Sequence, residues 1–200
     1  MNLSDDDINK DILKTIQISS QENILLLNIE KFYKKNLVNT AEIINIMKGE
    51  SVISMRLIDY FVTNYSKKYR VNYKIKRNDI KENFNVFTSY KSQLKAYNKK
   101  YFDPFSRGNR IPLFFKDDCI ITTIGQLNFF RWFYTNKVHV FIESNLSKIE
   151  NDLLENKNNL KKRQKKKKST YVKEYKDKTP AIIQFKKLPK KIDKIQLVFD

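Results

Sequence analysis

Cysteine occurs once, at Cys119, and histidine once, at His139, in a chain of 200 residues. A single thiol excludes a disulfide within the chain, and one thiol with one imidazole cannot assemble a Cys/His zinc centre. Glycine is nearly as scarce, at three residues. A phosphate-cradling loop needs several glycines so that backbone amides can approach the ligand, which these scattered ones cannot supply. No apolar run reaches the 18 or so residues that a membrane-spanning helix requires. The opening MNLSDDDINKD carries acids where a secretory leader has an apolar stretch. An intracellular, soluble chain is expected, with no cofactor.

Positive charge is in excess. Forty Lys and Arg against 22 Asp and Glu leave a net charge of +18. Residues 157–200 hold 16 of the cations and 4 of the acids, a balance of +12, whereas residues 1–156 balance at +6. With 33 lysines, 21 asparagines and 23 isoleucines, the composition has the skew of an AT-rich genome. Such a bias spreads lysine evenly and does not make the block KKRQKKKK, Lys161–Lys168. The 40% hydrophobic and 13% aromatic content is enough to bury a sizeable core.

The pattern predicts an α+β fold: a single compact domain with two β-hairpins packed against helices, followed by a basic, disordered C-terminal segment. Residues 1–49 read as a helical cover, 50–155 as the core and 156–200 as a Lys-rich tail with short β-like ends. Ser4 is placed to cap a first helix, and Ser19 with Glu22 forms a capping box ahead of a second. Thr40 can cap AEIINIMK, which Gly49 closes. Ile53, Leu57, Ile58, Phe61, Val62 and Tyr65 share one helical stripe. Val71–Lys76 and Phe84–Ser89 alternate as two strands with a long polar break between them, and IPLFF-KDD-CIITT reads as a second hairpin. Thr123 and Gln126 open the helix IGQLNFFRWFYTN, whose apolar girth around Phe129–Tyr134 suits a central helix or one that also meets a partner chain.

Three groups of residues invite a functional reading. In VFTSYKSQLKAYNKKYFDPFSRGNRI, residues 86–111, Tyr90, Leu94, Tyr97 and Tyr101 fall on one helical face and Lys91, Lys95 and Lys99 on the next. Lys100, Arg107 and Arg110 follow, and Gly108 permits a positive φ in their loop. Cations interleaved with aromatics suit the phosphates and bases of a polynucleotide; the same pattern also describes a core face with a solvated back. Lys161, Lys162, Arg163, Lys165, Lys166, Lys167 and Lys168 form the second group. A run of like charges gains affinity for phosphates by releasing condensed counterions; the block would serve equally as a nuclear-import address or an inert solvated tail. Asp103, Asp117 and Asp118 form the third, conceivable as a magnesium site of a nuclease but better explained by turn chemistry. His139 is expected to pack or face solvent, and Cys119, in a β-like run, to be buried. An enzyme is not expected.

SMRLIDYFVTNYSKK (54–68), NVFTSYKSQLKAYNKKYFDPFSRGNRI (85–111) and TTIGQLNFFRWFYTNKV (122–138) together resemble a family of uncharacterised proteins of large eukaryotic double-stranded DNA viruses, the mimivirus-like and algal-virus relatives. The likeness covers about residues 50–142. It departs from the family pattern at Tyr60, in place of tryptophan, and at Gly108, in place of a second basic residue. The resemblance implies a viral origin and no catalytic residues. Together with the charge it points to a non-enzymatic, nucleic-acid-associated protein acting in genome packaging, late transcription or nucleoid organisation, in the host cytoplasm or nucleus or in the virion. The alternative is a virion structural protein that meets its partner through Phe129–Tyr134.

Overall fold

A computed structural model describes residues 19–176 apart from Asn78, Ser106, Lys116 and Asp117, with side chains as far as Gln164 except that of Asp118. The chain divides into two units, Met1–Asn156 and Lys157–Asp200. The first described element of the first unit is α1 (Ser20–Lys35), where the capping box forms as expected: Ser19 accepts from the Glu22 N–H and Glu22 accepts from the Ser19 N–H. The helix expected from Ser4 lies outside the described residues. α2 (Leu37–Lys48) starts one turn earlier than a Thr40 cap predicts. Thr40 instead donates its hydroxyl to the carbonyls of Tyr33 and Asn36, at 3.1 and 3.0 Å. Gly49 closes the helix at φ 81°, a left-handed conformation that costs glycine nothing.

The predicted stripe 53–65 is buried in full. Ile53 lies in a bend just ahead, and the other five are carried by α3 (Met55–Tyr60) and a π-helical turn (Phe61–Tyr65), which α4 (Ser66–Lys68) follows. The first hairpin differs from expectation. β1 (Asn72–Arg77) pairs antiparallel with β2 (Ile80–Asn85), and Arg77 faces Ile80, so two residues make the turn, with Asp79 at φ 65°. The polar break was thus the turn and most of the second strand, because an aspartate such as Asp79 tolerates the positive φ that a tight hairpin needs. Val86–Ser89 leaves the strand for α5 (Val86–Tyr101), since the Asn85 side chain accepts the Thr88 N–H at 2.9 Å and caps a helix there. β3 (Arg110–Phe115) and β4 (Asp118–Thr123) form the second hairpin where it was expected, except that Asp118, read as part of the KDD turn, belongs to the strand and faces Phe115. Cys119 is exposed on β4, a correction that follows from alternation: its neighbour Ile120 takes the inward face.

The centre of the core is α6 (Ile124–Thr135), capped by the Thr123 hydroxyl on the Gln126 N–H. It packs against α1, α5, β4 and α7 (Val138–Ser144). Phe129, Phe130 and Phe133 are wholly buried, and Trp132 and Tyr134 nearly so. Each such ring contributes on the order of 2–3 kcal/mol by leaving water. The Phe129–Tyr134 region is therefore enclosed by its own chain and cannot be a partner surface; the central-helix reading holds. Tyr33 donates to the Leu127 carbonyl at 3.1 Å, and the Trp132 indole donates to Ser89 Oγ at 3.0 Å, fixing α1 and α5 against α6. The last described helix, α8 (Leu146–Lys176), continues through residues 157–176, where disorder was expected. Glycine and proline are absent from that stretch, and extending a formed helix costs far less than nucleating one. Residues 177–200, with the two β-like ends, lie outside the described residues.

Candidate nucleic-acid interface

The residues 86–111 are held by α6. Phe102 is wholly buried, its ring 5.3 Å from Phe129 and 5.6 Å from Trp132. The neighbouring backbone is fastened to the first turns of α6: Asn128 donates to the Tyr101 carbonyl at 2.9 Å, the Asp103 N–H to Gly125 at 3.3 Å, and Gln126 to Pro104 at 2.8 Å. A Cβ on Gly125 would lie 2.6 Å from the Lys100 carbonyl oxygen, so only glycine lets the two segments meet. Gly108, by contrast, does not use its conformational freedom. The left-handed residue of this region is Asn98, at φ 53°.

Asn98 breaks the cationic stripe. Its non-helical backbone interrupts α5, and its side chain accepts the Lys100 N–H at 2.8 Å. Lys91 and Lys95 stay on the helix, and Lys99 leaves the face they share. Of the six cations expected here, two are held by carboxylates of the same chain. Lys100 pairs with Glu22 at 3.0 Å, and Arg107 pairs with Asp103 at 3.2 Å. Lys91, Lys95, Lys99 and Arg110 are exposed and make no ion pair among the described residues. The aromatics divide in the same way. Tyr90 and Phe102 belong to the core and cannot stack on a base. Phe87, Tyr101 and Phe105 are half-buried with cations over their rings: Lys67 and Lys91 at 5.7 and 5.8 Å, Lys100 at 4.7 Å and Arg107 at 5.3 Å.

Behind the rim lies a charged cluster that sequence reading missed. Burial raises the Asp59 carboxyl against the opposing fields of Arg107 and Lys99. Asp103 is raised for the same reason, further helped by Asp59. Tyr90 is pushed up to about 12 by burial, then by Asp59 and Asp103. Asp103 Oδ2 is buried without a hydrogen bond, although the Arg107 Nε stands close enough for an ion pair. No spacing in the sequence connects Asp59 to Asp103, 44 positions apart. Asp103 is thus occupied with Arg107, and Asp117, its imagined metal-binding partner, lies outside the described residues. Among the described residues no three of His, Cys, Asp and Glu are arranged to hold a metal. His139 packs its ring on Tyr134 at 4.2 Å, and burial lowers its pKa, so it stays uncharged at neutral pH.

The basic block stands apart from these pairings. Lys157, Lys161, Lys162 and Arg163 are exposed on α8 and make no ion pair among the described residues. Lys165, Lys166, Lys167 and Lys168 continue the same helix. No described helix is long and apolar enough to cross a membrane.

An α+β unit with exposed cations that make no ion pair among the described residues, and a basic helical segment over 157–176, are what fold and site define. The chain belongs to the Family of unknown function (DUF7197), whose model matches residues 2–192. It is 39% identical over 132 residues to the uncharacterised protein L507 of Acanthamoeba polyphaga mimivirus, covering 63% of this chain. The match spans about half, 51%, of that relative's length. An uncharacterised family of large DNA viruses, expected from the motifs, is therefore the right placement. No solved structure matches the chain.

Proposed function

We propose that this protein binds nucleic acid without catalysing a reaction on it, through phosphate contacts from the basic block Lys161–Lys168, with Lys91, Lys95, Lys99 and Arg110 as secondary contacts. A role in packaging, late transcription or nucleoid organisation in the infected cell or virion is the setting such binding would serve. One observation carries the reading: the cations at the start of the block are exposed and make no ion pair among the described residues, in a chain that does pair Lys100, Arg107 and Lys68 with its own carboxylates. A lysine neutralised within the fold has little to gain from a phosphate, whereas an unpaired one releases the phosphate's condensed counterion. Arg107 and Lys100, both expected contacts, are assigned instead to holding the loop. The test replaces the seven cations of Lys161–Lys168 with glutamine, which keeps length and helix propensity. Polynucleotide affinity at about 100 mM salt should fall by two orders of magnitude or more, the scale at which several lost phosphate contacts act. Unchanged affinity would remove the block from the interface.

A further inference from the structure

The sequence leaves open which polynucleotide the basic block would meet, but the helix constrains it. Residues 157–176 are helical throughout, a rod of about 30 Å at 1.5 Å per residue. Successive Cα atoms turn by about 100°, so positions 161, 162, 163, 165, 166, 167 and 168 stand at roughly 0, 100, 200, 40, 140, 240 and 340° around the axis. The widest sector without a cation is about 100°. Cationic positions ring the helix instead of lining one side. A single strand or a flat anionic surface touches a rod along one side and leaves the other cations unmatched. The B-form major groove is different: about 12 Å wide, it takes a helix 10–12 Å across and sets a row of phosphates on either flank. The A-form major groove of double-stranded RNA is too deep and narrow for this.

We infer that the helix over residues 157–176 binds double-stranded DNA by lying in its major groove. The inference rests on the phosphate-binding reading above and gives it a substrate. Like charges at i and i+4, as at 161 and 165, 162 and 166, and 163 and 167, oppose the free helix. Enclosure between two phosphate rows relieves that repulsion, so duplex DNA should also increase helical content.

The experiment uses the full chain and fluorescence anisotropy with a DNA duplex of about 20 base pairs, its single strand, and an RNA duplex of the same sequence. Two variants accompany it: Gln164→Pro, which keeps every cation but breaks the helix, and Gln164→Ala, which does not. The expected result is a preference of about tenfold or more for duplex DNA, lost in Gln164→Pro and kept in Gln164→Ala. Unfolding midpoints that agree among the three proteins show that the body is intact. Equal binding of all three polymers, or an undiminished duplex preference in Gln164→Pro, overturns the groove assignment while the phosphate-binding reading stands. Failure to retain any polymer at low salt overturns both.

Discussion

Asp152, near the start of α8, gathers three donors from the segment 60–69. The Tyr60 hydroxyl donates at 2.5 Å, Tyr69 at 2.8 Å, and the Lys68 ammonium is ion-paired to the same carboxylate. Asp152 is 6% exposed and Tyr60 7%, whereas the Lys68 side chain is 55% exposed. Replacing Asp152 with alanine leaves Tyr60 its weaker bond to the Asp152 carbonyl, at 3.2 Å. The Tyr69 and Lys68 contacts go altogether. Hydrogen bonds to a buried charge are worth about 1.5–3 kcal/mol each, and the attraction of the exposed lysine is screened by water. With partial compensation by the backbone carbonyl, the expected loss is about 3 kcal/mol, a fall in Tm of roughly 6–12 °C. Asp152→Asn, which can still accept from Tyr60, should lose about half as much. Burial pushes the Asp152 carboxyl up, but Lys68, Tyr60 and Tyr69 together outweigh it and hold it below its ordinary value. A carboxyl depressed on folding stabilises above its unfolded pKa of about 3.9 and loses that stabilisation as pH falls further. The difference between wild type and Asp152→Asn in urea should therefore shrink as the pH drops below about 4. An Asp152→Ala midpoint indistinguishable from wild type would refute the reasoning, since it would mean that the hub carries no net energy.

Three further outcomes follow from the same geometry. Gly125→Ala should destabilise by about 1–3 kcal/mol and displace the 100–104 backbone, because its Cβ would meet a carbonyl that cannot yield; Gly108→Ala, whose nearest contact is 3.5 Å, should be close to neutral in the same denaturation assay. Glu22 is held at about 2, first by the Ser19 N–H and then by Lys100. Glu22→Gln should thus cost about 1–2 kcal/mol at neutral pH and flatten the stability profile between about pH 4.5 and 2, where wild type loses this contribution. Asp59 and Asp103 act with the opposite sign. Their raised carboxyls take up protons more readily when folded, so their contribution worsens as pH rises from about 3.9 through the folded values; carboxyl titrations followed by NMR should place both above the ordinary aspartate value.

Local chemistry made much of this fold legible. The Ser19–Glu22 box, the Gly49 closure, the Thr123 cap and the 53–65 stripe are decided within a few residues of themselves, and the structure places each where the sequence does. The misreadings arose where two local signals competed. Phe84–Ser89 alternates like a strand, yet Asn85 offers a cap and the helix begins. Thr40 has a capping side chain, but Asn36 had already ended one helix and begun the next. Asn98 sits in an amphipathic pattern that predicts an unbroken helix, and the clamp of Tyr101–Pro104 onto α6 overrides it. The candidate site was legible as composition and not as pairing. Which cations are free depends on Glu22 reaching Lys100 from 78 positions away and on Asp59 approaching the 99–107 loop from another helix. Such contacts exist only once the core has formed.

The account depends above all on the basic extension gathering around phosphates while the body remains a separately folded support. The most direct measurement is the salt dependence of duplex DNA binding by the full chain and by a chain ending at residue 156. Each phosphate neutralised contributes about 0.9 to the slope of log K against log salt, so the truncation should reduce that slope by up to about 6 through the seven block cations, and by more where the nine other cations of 157–200 also meet phosphates. Equal slopes for the two chains would contradict the account, because the phosphates would then be met by the folded body alone.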